Sequence, residues 1–140
     1  LKTQLRRVGT AYLPVSDVTF SAHWYVKKLG AQLSYQDEEK AIINMANQSF
    51  FLVKAAPNQR LNFIDYRGEE LFSMTFEVNG VKELTSLHHE LESLEVQIGQ
   101  IEDRGHTGKN FVFYDPDGNK FDVWSELSRD FIEKHGELSS

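Results

Sequence analysis

The chain has no cysteine among its 140 residues. That excludes disulfides, thiolate catalysis and zinc–thiolate sites, and it fits a reducing compartment. It also has no excess of basic charge: 15 Lys and Arg stand against 21 Asp and Glu, a formal net charge of −6. Phosphate recognition needs clustered cations, so neither a nucleic acid nor an anionic membrane is an expected partner. The pairs Arg6-Arg7 and Lys27-Lys28 are short and read as solvated surface. No run approaches the roughly 18 apolar residues of a membrane span, and the residues from Leu1 onward form no secretory h-region. A soluble, cytoplasmic protein is the expectation, with Asn47-Gln48-Ser49 a chance match to the glycosylation sequon.

Several motifs are missing as well. Residues 105–109 lack the spacing of a phosphate loop and lead into a strand rather than a helix. Asp115, Asp117 and Asn119 resemble part of a calcium loop, but the glycine and the later Glu are misplaced, so they read as turn formers. Gly118 lies in a hairpin, not in a nucleophile elbow.

What is present is an ordinary globular composition, 40% hydrophobic and 26% charged, in a chain long enough to bury a core. Its clearest pattern is a repeat. Residues 10–18 line up with residues 73–81, each an alternating strand, a polar break and a helical pattern. In the first half, residues 8–15 alternate as a strand, and Asp17 is placed to cap a helix carrying Val18, Ala22, Tyr25, Val26 and Leu29 up to Gly30. Residues 31–35, 40–45 and 49–54 follow as three strands with hairpin-length breaks.

Residues 55–70 carry Pro57, Asn58, Asn62 and Gly68 and read as an ordered connection, given Phe63 and Tyr66. The second half has a strand at 72–78 and a helix through Val81, Leu84, Leu87, His88, Leu91 and Leu94. Strands at 96–101, 110–114 and 120–127 follow, the last two joined by the turn Asp115-Pro116-Asp117-Gly118-Asn119. Ser128 could cap a short terminal helix. The reading is one α+β domain over 1–140: a βαβββ module at 6–54, a connection at 55–70, a second βαβββ module at 71–127 and a C-terminal helix or tail at 128–140.

Two like halves suggest a cleft where their sheets face each other. Strand alternation packs the apolar faces on the helices. The mixed faces, bearing Thr10, Tyr12, Phe51, Ser73, Thr75, Glu77, Asp122, Trp124 and Glu126, are then expected to line a ligand-binding cavity. The plain alternative is that these faces meet solvent.

Leu13-Pro14-Val15-Ser16-Asp17, followed by Trp24-Tyr25 and Leu29-Gly30, resembles the first module of the vicinal oxygen chelate superfamily. That group includes glyoxalase I, bleomycin-resistance proteins, fosfomycin-resistance enzymes and extradiol dioxygenases. The run from Phe113 to Val123, with its DPDGN hairpin, is similar to the closing hairpin of the second module. The resemblance covers about residues 6 to 127 and implies a cleft that, in metal-using members, holds an ion on four side chains. The matching positions are Thr10, Phe51, Ser73 and Asp122, of which only Asp122 would serve well. A register slip of one residue offers Ala11, Phe50 or Leu52, Phe72 or Met74, and Phe121 or Val123, none of them ligands.

The resemblance therefore implies a small-molecule-binding protein of the bleomycin-resistance type with no metal and no cofactor, acting by sequestration, and a homodimer. The alternatives are a lyase, isomerase or dioxygenase-like enzyme with a noncanonical site around Asp122, and a scaffold whose cleft is filled. Catalytic residues stay unassigned. Glu77, Asp122 and Glu126 on one semi-apolar surface would suit a cationic ligand, with Tyr12, Phe51 and Trp124 as aromatic walls. His88 and Glu92 have a chelating spacing, but an amphipathic helix accounts for them better. His23 reads as surface, and His106 lies in a polar loop that could reach a cavity mouth.

Overall fold

The computed structural model describes residues 3–135. They form two compact units, divided between Arg60 and Leu61. Each is a four-stranded sheet with a helix on one face, so the chain is α+β with two βαβββ modules.

The first unit begins with β1 (Thr10–Val15), whose alternation buries Leu13 and Val15. Asp17 then ends the strand and starts α1 (Val18–Leu29), its carboxylate accepting the Phe20 N–H at 3.0 Å. Gly30 closes the helix in the left-handed region at φ 72°, where any other residue would be strained. The strands β2 (Gln32–Gln36), β3 (Lys40–Met45) and β4 (Gln48–Lys54) make the meander, and β4 lies parallel to β1 in the order β1-β4-β3-β2. Ala41, Ile43, Phe50 and Leu52 meet Val18, Ala22 and the fully buried Tyr25. Burial of each of the Val, Leu, Ile and Phe side chains is worth about 2 kcal/mol. Val26, expected on the buried stripe, is 38% exposed, because the apolar arc of α1 is narrower than its sequence spacing implied.

The β2–β3 turn is organised by Asp37, which accepts from the Tyr35 hydroxyl at 2.8 Å and from the N–H groups of Glu39 and Lys40. The Tyr35 bond first, and the Glu39 N–H second, hold the Asp37 carboxyl below its ordinary value of 3.8. A depressed folded value means that this turn's contribution is present above 3.8 and is lost as pH falls through the folded value. Carbon-detected NMR titration of Tyr35→Phe is expected to move the Asp37 midpoint up toward 3.8. An unchanged midpoint would show that the hydroxyl does not hold the turn.

The second unit opens on residues 61–70 of the connection, which the sequence suggested to be a loop. It contains a two-stranded hairpin, β5 (Phe63–Ile64) and β6 (Glu70–Leu71). Asn62 donates to the Gly118 carbonyl and accepts from the Lys120 N–H, both at 2.8 Å, and so ties the connection to the DPDGN turn. Within that turn Asp115 accepts from the N–H groups of Asp117 and Asn119 and from the Asn119 side chain, which confirms these residues as turn formers.

Next come β7 (Thr75–Glu77), α2 (Val81–Ser93), β8 (Gln97–Ile98), β9 (Asn110–Tyr114) and β10 (Lys120–Trp124), in the sheet order β7-β10-β9-β8. The core is aromatic: Phe113 and Phe121 sit 5.3 Å apart and Phe76 lies on both, under Leu84 and Leu91. His88 belongs to this core boundary, its Nε2 2.8 Å from the Gly99 carbonyl and its ring edge-on to Phe111. The structural reading of that histidine is therefore the correct one.

Three strands of this unit are shorter than the sequence suggested, as is β1, which begins at Thr10 rather than residue 8. β7 begins at Thr75 rather than residue 72, β8 has two residues, and β10 ends at Trp124. Ser128 precedes α3 (Arg129–Lys134) without capping it through its side chain; its hydroxyl donates to Glu77 instead. Among the described residues no helix is long and apolar enough to cross a membrane.

Candidate functional site

On the first sheet, the face away from α1 carries Tyr12 and Phe51 side by side. They are partners in the β1–β4 ladder, with ring centroids 5.3 Å apart, and Tyr12 is 61% exposed. Thr10 stands one pleat earlier on the same strand, opposite Ser49. These side chains offer an aromatic surface and one hydroxyl.

On the second sheet the corresponding face carries Thr75, Glu77, Asp122 and Trp124. The ladder sets Thr75 beside Asp122 and Glu77 beside Trp124, and across β9 it sets Asn110 beside Trp124. Ser73 lies before β7, its hydroxyl donating to the Leu61 carbonyl at 2.6 Å. Glu126 follows β10 and is half-buried. The ladder thus places Tyr12 and Thr75, rather than Thr10 and Ser73, next to Phe51 and Asp122.

Asp122 is the most tightly held polar group on this face. It is 2% exposed, and its Oδ2 accepts from the Thr75 hydroxyl at 2.9 Å and from the Asn110 amide at 3.0 Å. Its Oδ1 lies 3.0 Å from Arg104 Nη2, an ion-pair contact without hydrogen-bond alignment. Arg104 is itself positioned, with Nε 2.9 Å from Glu102 Oε1 and its guanidinium over the Phe72 ring at 5.6 Å. Burial alone would lower the Arg104 pKa, but the Glu102 hydrogen bond and the Asp122 charge outweigh it and raise it. Asn110 Oδ1 is buried and has no hydrogen-bond partner.

The loop that delivers Arg104 continues across the same face. Trp124 Nε1 donates to the Thr107 carbonyl at 2.9 Å, His106 meets the Trp124 ring edge-on, and the Lys109 N–H donates to the Ser125 hydroxyl. Glu77 is engaged elsewhere, accepting from the Ser128 N–H and hydroxyl. Glu77 and Asp122 therefore have separate partners, Ser128 for the one and Thr75, Asn110 and Arg104 for the other, and are not set against each other as the sequence alone suggested.

Arg104 and Asn110 escaped the sequence reading. Asn110 carried a signal, since it shares strand parity with Val112 and Tyr114 and so belongs on the face of Asp122. Arg104 carried none, because a loop residue's reach is not encoded in periodicity.

The family model for the Glyoxalase/Bleomycin resistance protein/Dioxygenase superfamily matches residues 7–123. The chain belongs to this superfamily. Among solved structures, the superfamily fold is shared with the fosfomycin resistance protein FosX of Listeria monocytogenes, solved with Mn(II) and sulfate. That match has a TM-score of 0.70 at 14% identity and covers 94% of this chain and 99% of that one. Lactoylglutathione lyase of Agrobacterium tumefaciens matches with a TM-score of 0.68 at 14% identity, covering 87% and 95%. SMU.1112c matches with a TM-score of 0.65 at 24% identity, covering 86% and 99%. No curated protein matches the chain.

The superfamily's divalent ion does not fit the residues present here. Phe51 has no donor atom, Ser73 is turned to the Leu61 carbonyl, and Thr10 and Thr75 are hydroxyls. The one carboxylate, Asp122, is a single good donor where a divalent ion needs three or more, and it already faces a guanidinium at 3.0 Å. Among the described residues, no group of three or more His, Cys, Asp or Glu is arranged to hold a metal.

Proposed function

We propose that this chain binds a small organic molecule without a metal on the Trp124 face of its second sheet, and acts by sequestering it. The observation that carries this reading is the pair of buried acceptor atoms, Asn110 Oδ1 and Asp122 Oδ1, which lack aligned donors beside the aromatic plane of Trp124. Buried acceptors of this kind are costly unless a donor meets them. The three charged groups Glu102, Arg104 and Asp122 sum to a net negative charge, which favours a cationic, donor-bearing ligand with a flat apolar body. An enzyme using Asp122 as a base has less support, because that carboxylate is already engaged by a hydroxyl, an amide and a guanidinium.

Isothermal titration with proflavine, a flat aromatic cation, is expected to show saturable binding. Trp124→Ala and Asp122→Asn, each checked for folding by circular dichroism, are expected to weaken it about tenfold or more. No heat of binding in the unaltered chain, or an affinity in both variants unchanged from that of the unaltered chain, would refute this reading.

A further inference from the structure

At one end of the first sheet, the starts of β1, β2 and β4 and the end of β3 border an open surface depression of about 770 Å³. That volume falls within the range of small-molecule pockets. Its wall includes Arg7, Gln32, Asn44, Asn47, Gln48 and Ser49. Four carboxamides, one hydroxyl and one guanidinium are an unusual selection in a chain with 21 acidic residues, none of which lines this depression.

Much of this hydrogen-bonding capacity is unspent within the chain. Among the described residues, the side chains of Gln32, Asn47 and Ser49 make no hydrogen bond. Gln48 donates to the Val8 carbonyl through Nε2, which leaves its Oε1 as an acceptor. Arg7 reaches the Asn47 carbonyl only at 3.4 Å, with its other N–H groups left over. The carbonyls at the end of α1, which would repel an anion, are partly answered by the Gly30 and Ala31 N–H groups. Beside this wall, Ala46 at φ 52° and Asn47 at φ 58° are both left-handed, a conformation costly for alanine.

We propose that this depression is a second binding site, specific for a small polyhydroxylated anion such as a sugar phosphate. Amides and a hydroxyl both donate and accept, which matches vicinal hydroxyl groups, and Arg7 supplies the one charge-assisted contact for the anionic group.

The test is a nitrogen–proton NMR titration of the full chain with glucose 6-phosphate, glucose and inorganic phosphate. Glucose 6-phosphate is expected to give saturable shifts confined to residues 7–9, 30–32 and 44–49, and to bind more tightly than either fragment. Arg7→Gln, at an exposed position, should weaken glucose 6-phosphate about tenfold and leave glucose unchanged. Gln32→Ala should weaken both sugars. The proposal fails if no saturable shift appears at millimolar ligand, if phosphate alone binds as well as the sugar phosphate, or if Arg7→Gln has no effect. Asp122→Asn should leave these shifts intact, so this result is independent of the site on the second sheet.

Discussion

Replacing Arg104 with Met is expected to destabilise the chain by about 2–3 kcal/mol, read as a fall in the urea midpoint with an unchanged slope. The reason is what it leaves behind. Asp122 is 2% exposed, and without the guanidinium its Oδ1 has no neighbouring cation. Breaking a fully buried ion pair costs about 3–5 kcal/mol, and the lower figure applies because the Arg104 side chain is 25% exposed and partly solvated. Met keeps an unbranched side chain of comparable reach, so the measured loss reports the charged guanidinium more than the packing. Adding Asp122→Asn to Arg104→Met should restore more than half of the loss, because a neutral amide needs no cation. Strict additivity of the two changes would show that the pair is not coupled.

The same pair shows where sequence reading reaches its limit. The framework of the second unit was visible from period-two alternation in residues 110–114 and 120–127 and from the DPDGN turn; β9 stands as expected, and β10 stops three residues early, at Trp124. Their parity put Asp122 and Trp124 on one face, since hydrophobic alternation fixes which side of a pleated sheet each residue takes. Parity could not show that Ser73 would leave the sheet. The residues around it alternate just as well as those of β7, and its displacement comes from a hydrogen bond to Leu61 in the connection. Nor could parity place Arg104, whose partners Glu102, Phe72 and Asp122 are gathered by a loop.

The resemblance had a matching limit. It pointed to four positions, of which Phe51 carries no donor atom. It said nothing of the guanidinium that faces Asp122. In physical terms, a cation still meets the carboxylate of β10, but it is covalently part of the chain and cannot exchange.

The loop carrying that cation should depend heavily on Gly108. A Cβ at this position would lie 2.5 Å from Ser125 Oγ, 2.9 Å from Glu126 Cγ and 3.0 Å from Trp124 Nε1. Ser125 is 1% exposed and holds the Lys109 N–H, so it has no room to withdraw. The backbone angle adds to the strain, since φ is 79°, in the region L side chains avoid. Gly108→Ala is expected to cost about 3 kcal/mol, the sum of a left-handed alanine and an overpacked contact. Gly105→Ala is the matched control: its φ is 85°, yet nothing lies within 4 Å of its added Cβ, so it should cost only about 1 kcal/mol. If the chain relieves Gly108→Ala by releasing the loop, Trp124 loses its bond to Thr107, and its emission should shift to the red in a Trp24→Phe background. Proflavine affinity then separates two roles of the loop: tighter binding means that it covers the acceptors of Asn110 and Asp122, and weaker binding means that it helps form their site. Equal stability of the two alanine variants would show that the loop does not press on Trp124 and Ser125 in solution.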